Sequence, residues 1–256
     1  MCDLHFLVKN KGNYFLVIIE AIIIIIFGSM VINDESKTLE VQNQFSLVKT
    51  DDKSKEIYMK NKCKEIYIKN KDALILVNYS NAIPDNYNPN LRYTESSKEQ
   101  VSNVLYNDLV LMLKDAKNAG FTYWIASAYR DIQIQQGLID EHIDTYTSEG
   151  MSMKEAQDKT YEILEKASYS EHHTGLAIDF LSSDNLNMDE SQEQSQGNQW
   201  MRDNCYKYGF ILRYPRGKQD ITHISYEPWH FRYVGIEAST FMYENNLTLE
   251  EFYEYL

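Results

Sequence analysis

The chain has 256 residues, with 25 Lys and Arg against 38 Asp and Glu and a formal net charge of −13 at pH 7. That length allows one sizeable domain plus an extension, and the acidic balance excludes a nucleic-acid partner, whose phosphates call for Lys and Arg patches. The cysteines Cys2, Cys63 and Cys205 form no CxxC pair, which excludes a structural zinc ribbon; a Cys63–Cys205 disulfide and free thiols both remain open.

Tyr14 to Ile32 is almost wholly apolar, with Glu20 its only charge. A helix of that length spans roughly the ~30 Å hydrocarbon core of a bilayer. Lys9 and Lys11 precede it and Asp34 and Glu35 follow, so the positive-inside rule puts residues 1–13 in the cytoplasm and everything after Asn33 outside. Gly28-Ser29 offers small residues for cleavage, but no Ala-x-Ala follows, so an uncleaved transmembrane anchor is expected over 14–32 rather than a signal peptide. Residues 33–72 are polar and lysine-rich, and within them Lys55 to Lys62 recurs as Lys64 to Lys71. Two copies are too few for a solenoid, and a stalk or linker is expected.

A globular domain is expected over 73–256. Leu74 to Val77 reads as a short buried strand. Ser96 and Glu99 have capping-box spacing before an apolar stripe of Val101, Val104, Leu105, Leu109, Met112 and Leu113, which predicts a helix ended by Gly120. Phe121 to Tyr129 reads as a strand, Asp131 to Ser148 as a helix, and Ser152 with Glu155 caps another helix to about Lys166. Gly175 to Ser182 is a strand; Ser183 to Gly197 is a loop leading to a helix over Gln199 to Tyr208. Phe210 to Tyr214, Thr222 to Tyr226 and Phe231 to Val234 read as strands, and the end is helical with Thr248 and Glu251 as a capping box. Helices and strands without regular βαβ alternation predict an α+β fold: a central antiparallel sheet flanked by helices, behind an N-terminal transmembrane helix.

Two stretches carry chemistry: Ser170 to Asp179, and Glu227-Pro228-Trp229-His230. Together they supply histidines, an aspartate and a spare glutamate, the parts of a catalytic zinc site with an open position and a nearby base. His172 and Asp179 lie an odd number of residues apart, so strand alternation does not bring them together; a bend at Gly175 must. Pro228 rules out a continuous helix at Glu-x-x-His, so this is not the HExxH arrangement. Glu227 is the expected general base. His173 is left out, because neighbouring side chains diverge on extended backbone. Trp229 reads as a wall of the site.

The pattern Ser-x-His-x-x-Gly-x-Ala-x-Asp at Ser170, His172, Gly175, Ala177 and Asp179, followed by Glu227 and His230, resembles the VanY-type zinc D-alanyl-D-alanine carboxypeptidases. These belong to a wider group with lysostaphin-like peptidases and hedgehog domains. The likeness extends to Ser127-Ala128-Tyr129-Arg130 and to Tyr208 through Pro215, and it runs from about Leu74 to Gly235. The resemblance implies that His172, Asp179 and His230 bind one zinc ion, that Glu227 is the base, and that Arg130 steadies the scissile carbonyl and its growing charge. It further implies that Ser127, Gln135 and Ser170 line the substrate site, holding a terminal carboxylate or peptide groups. His223 departs from the pattern, in which a glycine is expected; an accessory metal role and a local substitution are both open.

The implied function is a membrane-anchored, outward-facing D,D-carboxypeptidase that removes the terminal D-Ala from peptidoglycan stem pentapeptides or their lipid-linked precursors, with a role in glycopeptide resistance. The alternatives are an L,D-carboxypeptidase acting on stem tetrapeptides and a non-catalytic wall-binding domain. Oligomeric state is left open.

Overall fold

A computed structural model describes residues 35–95 and 98–256. The expected anchor at 14–32 and the expected cap Ser96 lie outside the described residues. Among the described residues no helix is long and apolar enough to cross a membrane. The chain divides into Met1–Ile57 and Tyr58–Leu256.

The expected stalk is helical instead: α1 covers Glu35–Lys69, and its last part belongs to the larger unit, which therefore begins before residue 73. Met59, Cys63 and Ile66 are buried at helical spacing against Phe241, Met242 and Phe252. The duplication explains why the periodicity was hidden. Its copies are offset by about two and a half turns of a 3.6-residue helix, so equivalent residues point to opposite sides. Ile66 is fully buried while its counterpart Ile57 is 51% exposed.

Leu74 and Val77 are buried and Ile75 and Leu76 half-buried, but the segment pairs with no strand among the described residues. The Ala73 and Ile75 carbonyls accept hydrogen bonds from Arg232 Nη2 at 3.0 and 2.7 Å, so a buried arginine takes the place of a sheet neighbour. A small hairpin follows, β1 (Leu91–Tyr93) with β2 (Gln100–Ser102). The helix expected from Val101 therefore begins later, as α2 (Tyr106–Asn118). Next come β3 (Tyr123–Ser127), α3 (Ile132–Ser148, capped by the Asp131 side chain) and α4 (Met153–Thr160, with the predicted capping box). The chain continues through β4 (Ala177–Ser182), α5 (Gln196–Asn204), β5 (Phe210–Leu212), the one-turn α6 (Gln219–Thr222), β6 (His230–Tyr233), α7 (Ile236–Asn245) and α8 (Leu249–Glu254). The strand expected over Thr222 to Tyr226 is absent; α6 and an irregular segment stand there.

The main sheet has the order β3-β4-β6-β5, antiparallel throughout, as the α+β reading requires. Ile178, Phe180, Phe210 and Phe231 pack with Leu105, Leu109 and Met112 in one core. Cys63 and Cys205 are buried free thiols.

Candidate metal and catalytic site

The sheet register builds half of the site. Asp179 on β4 lies directly opposite His230 on β6 and Ser127 on β3. Directly paired residues on neighbouring strands project to the same face, which is why a carboxylate and an imidazole distant in sequence meet. His172 arrives differently. It sits in a 3₁₀ turn, Glu171–Thr174, where the Ser170 side chain accepts the His172 N–H, and the turn ends at Gly175 with φ +68°. A Cβ on Gly175 would come within 2.9 Å of the Ser102 backbone nitrogen. The bend required by the odd spacing is this turn.

His172, Asp179 and His230 are all buried, and one ligand atom from each lies within 4.8 Å of the others. His172 Nε2 is 3.4 Å from Asp179 Oδ2, and His230 Nδ1 is 3.2 Å from Asp179 Oδ1. Tetrahedral zinc with ligands at about 2.0–2.1 Å sets ligand atoms about 3.3 Å apart, so the donor set fits that ion. His172 Nδ1 lies 2.5 Å from the Ala128 carbonyl; donation there fixes the tautomer that leaves Nε2 as a lone pair. His172 Nε2 and Asp179 Oδ1 are buried with no hydrogen-bond partner. Burial, with Arg130 nearby, pushes His172 down to about 4, so it is neutral as a ligand must be. Burial alone would raise the Asp179 carboxyl, but the two imidazoles hold it well below the usual range.

Glu227 follows in the same cavity, its Oε2 3.4 Å from His230 Nδ1. Burial raises its pKa although His230 opposes the shift, which suits a group that must accept and then release a proton. Arg130 is pinned by its backbone: its N–H donates to the His172 carbonyl at 3.3 Å, and its own carbonyl lies 2.7 Å from His173 Nδ1. His173 thus serves the site by holding Arg130, a role its neighbour position concealed. Arg130 Nε is buried without a partner.

Arg130, Gln135, Ser170, His172, Asp179, Glu227 and His230 line one cavity of about 460 Å³, with Tyr214 and Trp229 among its walls. Ser127 does not line it, although the register after a β-bulge sets it opposite Asp179. His223 is outside it too: exposed, at φ +61°, with its ring 3.9 Å from that of Tyr79. The left-handed backbone explains why glycine was expected there, and a ring contact accompanies the histidine.

A buried charge cluster, unforeseen from sequence, stands behind His230. Glu171 Oε1 accepts from Arg213 Nε and from Arg232 Nη1, each at 2.7 Å. All three side chains are fully buried. Glu171 Oε2 faces His230 Nε2 at 3.6 Å. Burial would raise the Glu171 carboxyl, but the two guanidinium groups hold it well below the usual range. A carboxylate on the far nitrogen of a ligating imidazole fixes which nitrogen meets the metal. Arg213 also makes a paired contact with Glu250 on α8, at 2.8 and 2.6 Å.

The sequence profile described as VanY, D-alanyl-D-alanine carboxypeptidase, matches residues 98–236. The chain belongs to the VanY family. A D-alanyl-D-alanine carboxypeptidase of Enterococcus faecalis (strain ATCC 700802 / V583) is 39% identical over 189 residues, covering 70% of this chain and 65% of the relative, so the chain spans just under two thirds of that protein's length. A vancomycin-resistance D,D-pentapeptidase VanY from a VanB-type cassette, solved with Zn(II), superposes with a TM-score of 0.65 at 34% identity, covering 71% of this chain and 99% of that one. The LD-carboxypeptidase LdcB superposes with a TM-score of 0.62 at 35% identity, covering 71% of this chain and 85% of that one.

Proposed function

We propose that this VanY-family chain is a zinc-dependent D,D-carboxypeptidase that removes the C-terminal D-Ala from peptidoglycan stem pentapeptides. The observation that carries the reading is the convergence of His172, Asp179 and His230 with Glu227 and Arg130 in one cavity. A VanY neighbour solved with D-alanine-D-alanine, at a TM-score of 0.65, supports the substrate class. Bound by the two imidazoles and the Asp179 carboxylate, zinc supplies a Lewis acid for the scissile carbonyl and for water. Glu227 takes a proton from the attacking water and returns it to the departing amine. Arg130 faces the negative charge that grows on the carbonyl oxygen, with a charge that is permanent at any working pH. Glu171 holds His230 so that its Nδ1 faces the metal, and Trp229 and Tyr214 wall the site from solvent. A glycopeptide-resistance role follows, since removing that D-Ala destroys the D-Ala-D-Ala terminus.

The domain faces outward on a single-pass anchor at 14–32, with residues 1–13 cytoplasmic; the apolar run and the preceding Lys9 and Lys11 support this. Lipid-linked precursors at the membrane are then within reach. Periplasmic-type reporter fusions at residue 40 test the orientation: activity there supports it and inactivity there refutes it.

The function is tested with Glu227→Ala. The variant should keep stoichiometric zinc yet release no D-Ala from a stem pentapeptide, and unchanged turnover would refute the mechanism.

A further inference from the structure

The described residues hold a further cavity of about 430 Å³, close to the catalytic one in volume and within the ~300–1,000 Å³ range of small-molecule sites. The two share no lining residue. Three tyrosines line it, Tyr67 from α1, Tyr253 from α8 and Tyr87, beside the apolar Ile75 and Leu76. Lys71, Asp72 and Asn81 supply its polar part.

These walls are tied to the fold rather than left loose. The Tyr87 hydroxyl donates to the Thr174 carbonyl at 3.2 Å, in the same turn that carries His172. The Tyr253 hydroxyl donates to the Leu74 carbonyl. The Tyr67 ring meets that of Tyr253 edge to face, with centroids 5.8 Å apart. The Ile75 carbonyl accepts from Arg232, which is fully buried. Rings fixed before a ligand arrives lose little conformational entropy on binding. No side chain that lines this cavity acts in the reaction above.

Fixed rings beside apolar side chains suit a ligand with flat C–H faces. The polar part adds a second demand. Lys71 brings donors and Asp72 acceptors, and both are exposed. Their charges are opposite, so the cavity favours neither a strong anion nor a strong cation. A neutral pyranose meets both demands, with a C–H face to lay on a ring and a rim of hydroxyls that donate and accept. A proline-rich peptide also lays apolar faces on tyrosines, but proline has no N–H to offer Asp72.

We propose that this cavity binds a neutral saccharide and docks the enzyme on the polymer whose peptides it trims. The polymer as source rests on the carboxypeptidase reading; the saccharide chemistry does not. Docking at a place that shares nothing with the reacting centre keeps stem peptides at high local concentration and leaves hydrolysis of soluble peptides unchanged.

The test titrates chitotetraose, a neutral and peptide-free oligomer of N-acetylglucosamine, into the full zinc-loaded Glu227→Ala chain by calorimetry. One site per chain is expected, unaffected by saturating stem pentapeptide. Tyr67→Leu keeps apolar bulk but removes a ring, so it should weaken saccharide binding at least about tenfold while pentapeptide turnover, read with Glu227 intact, stays within about twofold. Absence of binding, displacement by the pentapeptide, or unaltered affinity in Tyr67→Leu overturns the proposal, as does tighter binding of a proline-rich peptide at the same site. Should Tyr67→Leu not fold, Lys71→Ala combined with Asp72→Ala, both at exposed positions, must weaken binding instead. Saccharide binding without turnover of any stem peptide by wild type upholds the site and refutes the peptidase reading; turnover without saccharide binding does the reverse.

Discussion

Replacing Glu171 by glutamine separates metal positioning from chemistry. The side chain keeps its shape but loses the charge that faces His230 Nε2 at 3.6 Å. Loss of such a carboxylate partner weakens metal binding by about 10–100-fold, or about 1.4–2.7 kcal/mol. Folding suffers as well. Arg213 retains its paired contact with Glu250, but Arg232, fully buried, is left with backbone carbonyls as partners. Stranding a buried charge in this way costs about 3–5 kcal/mol. Glu250→Gln is the control: its side chain is 10% exposed and Arg213 keeps Glu171, so it should cost about 1.5–3 kcal/mol of stability and leave zinc affinity within about twofold. Chelator competition reads the affinity and urea unfolding of the metal-free protein reads the stability. Wild-type zinc affinity in folded Glu171→Gln would refute the positioning role.

The same carboxylate gives a pH prediction. Its folded pKa lies below the unfolded value of about 4.3, so its contribution to stability is complete above about pH 5 and is lost as pH falls further. Acid unfolding of Glu171→Gln should therefore show a shallower decline than wild type, and parallel curves would contradict this. Arg130→Ala should lower kcat by about 10²–10³-fold with zinc content unchanged; a change confined to KM would move Arg130 from the carbonyl to mere binding. His173→Ala removes the 2.7 Å contact with the Arg130 carbonyl and should reduce kcat through a displaced Arg130 without loss of zinc; loss of zinc instead would mean that His173 supports His172.

The metal group was legible because its residues fall in a compact spacing pattern. Asp179 and His230 could be paired only once the strands were aligned, and the register sets them opposite each other. The Glu171 cluster was not legible. Arg213 and Arg232 sit in or beside strands where a charged side chain ordinarily signals a solvent face, and nothing local marks both as buried. The last turns of α1 escaped notice because the duplication scatters its apolar residues around the helix, leaving Met59, Cys63 and Ile66 as a narrow stripe. Thr222 to Tyr226 reads as strand from its β-branched and aromatic residues, yet His223 at φ +61° breaks an extended run. Tertiary context overrode propensity in both segments.

The most direct measurement follows product mass when the zinc-loaded chain is incubated separately with a stem pentapeptide ending in D-Ala-D-Ala and with the matching tetrapeptide, each with and without chelator. Chelator-sensitive loss of one D-Ala from the pentapeptide alone is the predicted result. Cleavage of the tetrapeptide instead would place the chain with the L,D-carboxypeptidases, and cleavage of neither by zinc-loaded protein would contradict the enzymatic account.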